Sequence, residues 1–309
     1  MADMAHLWVD GEISRLSKQI SREYAVGKGR MAAKLNELLE DFDTENRRWK
    51  ERVAQGTATQ REYEEWLDGY AYDIELMRSV SREIAKEATS TNRIAMAVIS
   101  AAMLGICSES ASMAEYMVES KAGYGSMPAI EVLRDKLPKV GTDGHKDFAW
   151  NMRKVMAVVT SAVIAGSGLP EIRGRVSSIY DMNMRVANRA LVTAATGAES
   201  MGKLAAYRAE LASGIPIEKV WVAVMDNRTR KTHRELDGQS VPLDRPFLIE
   251  STGERIWYPA DPDASPQERY NCRCSLEFRV VGQPEDSGRL RSLPDGLSYE
   301  DWKTGGWKE

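Results

Sequence analysis

His233, Cys272, Cys274 and Asp226 are the side chains of this 309-residue chain whose types and clustering suit metal binding or thiol chemistry. They lie within residues 219–274, which run KVWVAVMDNRTRKTHRELDG, then RPF, then RIWYPADPDASP, then ERYNCRCSLEF. Three readings compete. In the first, Cys272 and Cys274 extend a buried face as free cysteines do, and His233 is a hydrogen-bonding structural residue. In the second, His233, Cys272, Cys274 and Asp226 bind a structural zinc ion, for which thiolate and imidazole are suited donors. Spacing speaks against that reading, because structural zinc sites use C-x₂₋₄-C and this chain has C-x-C. In the third, His233-Arg-Glu235 and Cys272-Arg-Cys274 form a zinc deaminase site of the H-x-E and P-C-x-x-C kind. Asn271 stands where that signature has proline, and one intervening residue is missing.

Other catalytic templates fit less well. Cys272 or Cys274 with His233 makes a nucleophile on paper, since Arg273 and Arg230 would lower a thiol pKa. No oxyanion hole or orienting residue is recognisable beside it. G-x-x-x-x-G-K-[ST], G-x-G-x-x-G after a strand, and H-E-x-x-H are all missing. The reading is therefore that the chain is not an enzyme, and that closure of His233, Asp226, Cys272 and Cys274 within a few ångströms staples a small domain.

The elements that must position these residues are short. Val220–Met225 is a continuous apolar run and predicts a strand buried on both faces, ended by a turn at Asp226-Asn227-Arg228. Thr229 is placed to cap a short helix over Arg230–Leu236, and Asp237-Gly238 stops it. Arg230, His233 and Asp237 then share one face, with Leu236 packing inward. Arg255–Tyr258 predicts a short strand, and Pro259 and Pro262 an extended loop behind it. Cys274, Leu276, Phe278 and Val280 alternate with polar residues in a last strand, Cys274–Val280, with Cys272 on the same parity.

Before this segment the chain reads as helix. Ile13, Leu16, Ile20 and Tyr24 recur at helical spacing, and Leu35, Leu38 and Phe42 continue the stripe after a break at Gly27-Lys28-Gly29. Thr59 to Glu62 matches a capping box, followed by Tyr63, Trp66, Tyr70, Ile74 and Met77 on one face. Ile94–Cys107 and Val155–Gly166 are apolar runs shorter than the roughly 20 residues that span a bilayer, and predict buried core helices. The glycine-rich residues 121–145 predict a loop with one short helix. From Pro170 a pattern of Ile172, Val176, Ile179, Met182, Val186 and Ala190 runs to about Leu211. Arg189, Thr193, Glu199, Arg208 and Glu210 on that helix read as a solvated face. The expected fold is α+β: a long helical bundle over 1–215, a small mixed α/β domain over 216–282 that folds by itself, and a flexible tail over 283–309.

Charge and cysteine usage narrow the class. Hydrophobic residues make up 43% and charged residues 28% of the chain, as in a soluble globular protein. The net charge is −4, and residues 216–282 carry 10 Lys/Arg against 11 Asp/Glu, so no region shows the basic footprint of phosphate neutralisation. Three cysteines make no disulfide framework and point to a reducing compartment. The N-terminal MADMAHLWVDGEI lacks the pattern of a signal peptide.

The order W-x-A-x-x-D-x-R-T-R-x-x-H-x-x-L-D-G, then P-F, then Y-P-x-D-P, then N-C-R-C carries a resemblance. In this chain it falls on Trp221, Ala223, Asp226, Arg228, Thr229, Arg230, His233, Leu236, Asp237, Gly238, Pro246, Phe247, Tyr258, Pro259, Asp261, Pro262, Asn271, Cys272, Arg273 and Cys274. This resembles the C-terminal domain of the phage Mu F-like head-morphogenesis proteins, in which a variable helical region precedes such a domain. The resemblance implies a minor head protein of a tailed bacteriophage or prophage, made in the host cytoplasm and built into the virion. Expected partners are the portal, scaffold or major capsid protein and packaged DNA, with no membrane. Two other functions stand beside it: a nuclease- or transferase-like enzyme using Arg228, Arg230, His233 and Glu235, and a DNA-binding virion protein ejected with the genome.

Overall fold

The computed structural model describes residues 3–124, 137–138, 140–282 and 290–308. Long helices come first: α1 (Met4–Ala54), α2 (Gln60–Ala71), α3 (Ile74–Ala122), α4 (Gly144–Ile164) and α5 (Leu169–Ala212). Then follow β1 (Ile217–Val222), α6 (Lys231–Leu236), β2 (Ser240–Pro242), β3 (Phe247–Leu248), β4 (Arg255–Ile256), α7 (Pro266–Arg269), β5 (Ser275–Val280) and α8 (Tyr299–Thr304). The α+β class is as the sequence implies. The chain divides into two compact units, Met1–Leu16 with Ile99–Val140 and Arg189–Glu309, and Ser17–Val98 with Gly141–Asn188. This division does not follow the expected boundary at 215.

In the second unit the helices hold together through periodic apolar stripes. Ile20, Tyr24, Met31, Leu35, Leu39 and Phe42 are buried along α1 at steps of three, four and seven. The Gly-Lys-Gly sequence does not break this helix. A Cβ on Gly27 would stand 2.4 Å from Thr91 Oγ1, so the glycine serves close approach of α3. The capping box forms as expected, with Glu62 N donating to Thr59 Oγ1 at 3.2 Å and Thr59 N to Glu62 Oε2 at 2.7 Å. The aromatic stripe behind it is interrupted where α2 ends, leaving Ile74 exposed. On this part of α5 Leu169, Ile172, Val176, Ile179, Tyr180, Asn183 and Ala187 are buried, whereas Val186, assigned to the core by hydrophobicity, is exposed. Asn183 Nδ2 donates to Asn151 Oδ1 at 3.0 Å, and that bond pulls a polar residue into the stripe.

Both apolar runs supply core. Ala95, Ile99, Met103, Ile106 and Cys107 are buried on α3, and Val155, Val159, Ala162 and Val163 on α4. By length and composition alone, α3 is apolar enough to cross a membrane. The short helix expected between residues 121 and 145 falls outside the described residues.

In the first unit a three-stranded sheet of order β2-β1-β5 is antiparallel throughout, with Trp221 opposite Leu276. A two-stranded ribbon pairs β3 with β4. β1 begins three residues earlier than expected and is buried on alternate residues, Ile217, Lys219 and Trp221. Lys219 replaces Val220 on the inner face because its ammonium donates to the Trp257 carbonyl at 2.9 Å and lies over the Phe247 and Trp257 rings. Burial lowers its pKa to about 8. Residues 216–282 do not close a core alone: Trp221, Leu236, Phe247, Leu276 and Phe278 pack in one cluster with Met117 and Val118 of α3 and Leu204 and Tyr207 of α5. The segment 283–309, expected as a flexible tail, holds α8 among its described residues. Tyr299 and Trp302 are buried with Ala5 and Met113, and Trp302 Nε1 donates to Glu119. Two aromatic residues three apart on a capped helix were the signal passed over.

Glu210 is buried rather than solvated, and neither carboxyl oxygen has a hydrogen-bond partner among the described residues. Burial first, then the charges of Glu119 and Glu115, push its pKa up to about 8. Unfolded, the group titrates near ~4.3. Between those values the fold holds a proton that the unfolded chain has lost, so stability falls as pH rises through that window. Glu210→Gln is expected to flatten this slope and to exceed the wild type at pH 9 by on the order of 2 kcal/mol. Urea melts at pH 5 and pH 9 read the difference; parallel shifts in both proteins would rule the assignment out.

Candidate functional site

Most residues of the motif act as brackets that shape the segment. Asp226 ends β1's run and receives Arg273 through two hydrogen bonds of 2.7 and 2.8 Å, while Arg228 N donates to its Oδ1 at 2.9 Å. Arg273 in particular holds the Asp226 carboxyl well below the usual range. Thr229, expected to cap α6, instead directs its hydroxyl to the Val224 carbonyl and to Asp226. The helix starts one residue later than expected, with Arg230 at the N-cap and no side-chain cap. Arg230 reaches the Tyr270 carbonyl, Asp237 Oδ1 accepts from Ala223 N at 2.8 Å, and Gly238 takes the left-handed φ of 75° that stops α6. Asp261 closes the Tyr258-Pro259 loop by accepting from Trp257 N and Asp263 N, both at 2.9 Å. Pro262 offers its carbonyl to Arg269. Pro246 leads into Phe247, whose ring meets Trp221 edge to face at 5.3 Å. Asn271 sits at φ 56° and donates its N–H to Thr193 Oγ1 at 2.8 Å, tying the N-C-R-C turn to α5.

Three of the four expected side chains meet. His233 Nδ1 lies 3.3 Å from Cys274 Sγ and 3.6 Å from Cys272 Sγ, and all three residues are no more than 2% exposed. Their ligating atoms lie within 4.8 Å of one another. Asp226 stands outside this set, committed to Arg273, and so corrects the expected four-residue group. His233 also shares the inward face of α6 with Leu236, three residues on, rather than facing Arg230 and Asp237. Trp221 packs on the imidazole edge to face at 5.3 Å. His233 Nε2 lies 3.1 Å from Glu268 Oε2 without hydrogen-bond angles, and Thr232 Oγ1 donates to that same oxygen at 2.7 Å. A hydrogen bond from Cys272 and the nearby His233 hold the Cys274 thiol below its ordinary pKa, whereas Cys272 is raised.

This arrangement suits binding of a soft cation or plain core closure. It suits catalysis poorly. Both sulfurs and the imidazole are shut from solvent, so no substrate carbonyl or base reaches them without opening the fold. Glu235, the acid of the deaminase reading, gives its carboxylate to Ser251 N at 2.9 Å and Ser251 Oγ at 2.7 Å. Arg228 is exposed and Arg230 holds a backbone carbonyl, so the nuclease-like group of Arg228, Arg230, His233 and Glu235 does not converge.

A second polar group went unread in the sequence. Lys203 on α5 is 1% exposed, and its Nζ donates to Asp3 Oδ2 (2.5 Å), Ser275 Oγ (2.6 Å) and Glu199 Oε1 (2.7 Å). His6 adds a contact of 3.1 Å to Glu199. Burial would raise the Glu199 carboxyl, yet Lys203 and His6 overcome it and hold the pKa near about 2. The Glu199–Lys203 spacing of four was visible. Asp3 and Ser275, which come from the two ends of the chain, were not.

Known proteins place this geometry. The phage Mu protein F like family matches residues 153–277. The minor head protein GP7 of Bacillus phage SPP1 is 22% identical over 96% of this chain and 94% of its own length. The NAD(+)–arginine ADP-ribosyltransferase EFV of Enterococcus faecalis is 29% identical, and YqbB of Bacillus subtilis 31%. These two matches cover 47% and 43% of this chain, which spans 30% of the transferase and 45% of YqbB. No solved structure matches. The matched segment takes in α5, β1, the His/Cys cluster and the bracketing residues together, and over it this chain is similar to the phage Mu F-like proteins.

Proposed function

We propose that this chain is a minor head protein of a tailed bacteriophage or prophage, built into the virion beside the portal during procapsid assembly and acting through contacts rather than catalysis. The observation that carries the role is the end-to-end match to the SPP1 minor head protein, 96% of one chain against 94% of the other. The ADP-ribosyltransferase likeness supplies no activity here, because it covers 30% of that protein. Burial of His233, Cys272 and Cys274 supports a non-catalytic role. The balanced charge argues against an independent hold on the genome.

Purified heads and procapsids from cells carrying the intact and the deleted gene test this. The chain is expected in both particles at few copies, cross-linking to the portal, and its deletion should reduce infectious heads. Absence from both particles would end the proposal. Binding of the free protein to duplex DNA is expected to be no tighter than about 10 μM at physiological salt and to weaken steeply as salt rises. Tighter binding would favour the DNA-binding virion protein.

A further inference from the structure

Three soft donors converge on one point in a dry part of the fold. A neutral imidazole nitrogen has one lone pair, so His233 Nδ1 accepts a hydrogen bond from only one of the two thiols facing it at 3.3 and 3.6 Å. A cation of the zinc class satisfies all three atoms together. With zinc–sulfur bonds of ~2.3 Å and zinc–nitrogen bonds of ~2.0–2.1 Å, a regular tetrahedron has nitrogen–sulfur edges of about 3.6 Å. The two separations here are close to that edge.

The C-x-C spacing, which counts against zinc when read as a turn, is answered by the backbone. Cys272 and Cys274 are both buried while Arg273 between them faces Asp226, so the pair leads into β5 in alternation. Two sulfurs two residues apart then address the same face, and α6 brings the imidazole to it. A second observation concerns the other side of the ring. Metal-bound histidines nearly always present their free nitrogen to a carboxylate or carbonyl, which fixes the tautomer. Glu268 Oε2 sits 3.1 Å from Nε2, is itself fixed by Thr232, and is 7% exposed.

We propose that His233 Nδ1, Cys272 Sγ and Cys274 Sγ bind a zinc-class divalent cation, with Glu268 orienting the imidazole. The ion would tie α6 and the entry to β5 together, with α7 joined through Glu268, closing the part of the fold in which no long helix runs.

Full-length protein from zinc-supplemented cells is the material for the test. Elemental analysis is expected to find zinc at one ion per chain, and cobalt replacement to give thiolate charge-transfer and tetrahedral d–d bands. Cys272→Ser and Cys274→Ser should abolish both signals, and Cys107→Ser, also buried, should keep them. Glu268→Gln should keep the spectrum and weaken zinc binding by about 10- to 100-fold. An unchanged affinity there would remove Glu268 from its orienting role. If the cysteine variants do not fold, the wild type suffices: chelation should lower Tm and open Cys272 and Cys274, but not Cys107, to alkylation mapped by mass spectrometry. Protein that is zinc-free, gives no cobalt bands and shows no chelator effect would overturn the site.

Discussion

Replacing Lys203 by alanine is expected to destabilise the protein by about 3–5 kcal/mol, the usual loss when one member of a buried ion group is removed. The reason lies in what stays behind. Glu199 is 1% exposed, and the Lys203 ammonium is the cation shared by the Asp3 and Glu199 carboxylates, with the His6 ring beside Glu199 and the His6 backbone N–H donating to Asp3 Oδ1. A loss of this size is a large fraction of a typical domain's stability. The pH dependence separates it from simple loss of packing. Glu199 is held near about 2 in the fold, against ~4.3 unfolded. Its stabilising share is therefore complete above the unfolded value and disappears as pH falls toward the folded one. The gap between wild type and Lys203→Ala should narrow as pH drops from 6 to 3. The double variant Lys203→Met/Glu199→Gln should recover more than half of the loss at pH 7, because it removes the uncompensated charge. Urea denaturation of the wild type and these two variants reads both effects. A Lys203→Ala cost under about 1 kcal/mol at pH 7, far below the buried-pair range, would show that the ions are hydrated.

The same group explains which parts of the fold could be read from sequence. The capping box at Thr59 and the burial of Cys272 and Cys274 were legible because each is decided within a few residues. The stripe on α5 was followed correctly to Ile179 and lost at Met182, where Asn183 enters the core to meet Asn151 on another helix. Lys219 and Glu199 failed for a related reason. Hydropathy assigns both to the surface, and their burial depends on partners at Trp257, His6 and Ser275, dozens to hundreds of residues away. Asp226 was placed with the cysteines by its chemistry. The bidentate fork of Arg273 claims it, as guanidinium–carboxylate geometry favours. Spacing of three and seven groups His233 with Arg230 and Asp237 apart from an inward Leu236, whereas His233 and Leu236, three residues apart, are buried together on α6. Local periodicity thus located the elements, while distant ion and hydrogen-bond partners decided which residues turned inward.

Trp221→Ala is the second large effect expected, about 3–5 kcal/mol for an aromatic side chain taken from a well-packed core. Trp221 is 0% exposed and stands in the central strand opposite Leu276, with its ring against both His233 and Phe247. Its Nε1 has no hydrogen-bond partner among the described residues, and the cost comes from packing. Trp221→Phe, which keeps most of the volume and leaves no unsatisfied N–H, should cost less than half as much. The informative readout is the extent of the transition. Because Trp221 shares its core with Met117 of α3 and Tyr207 of α5, unfolding followed by helical far-ultraviolet signal and by protease cutting within 216–282 should shift together. A segment that folded by itself would instead lose protease resistance while the helical transition stayed in place. Joint movement would mean that truncation at residue 215 destroys the Mu F-like fold along with the helices. Head-incorporation experiments would then require point substitutions on intact protein, and a truncated chain that failed to enter heads would say nothing about which surface docks.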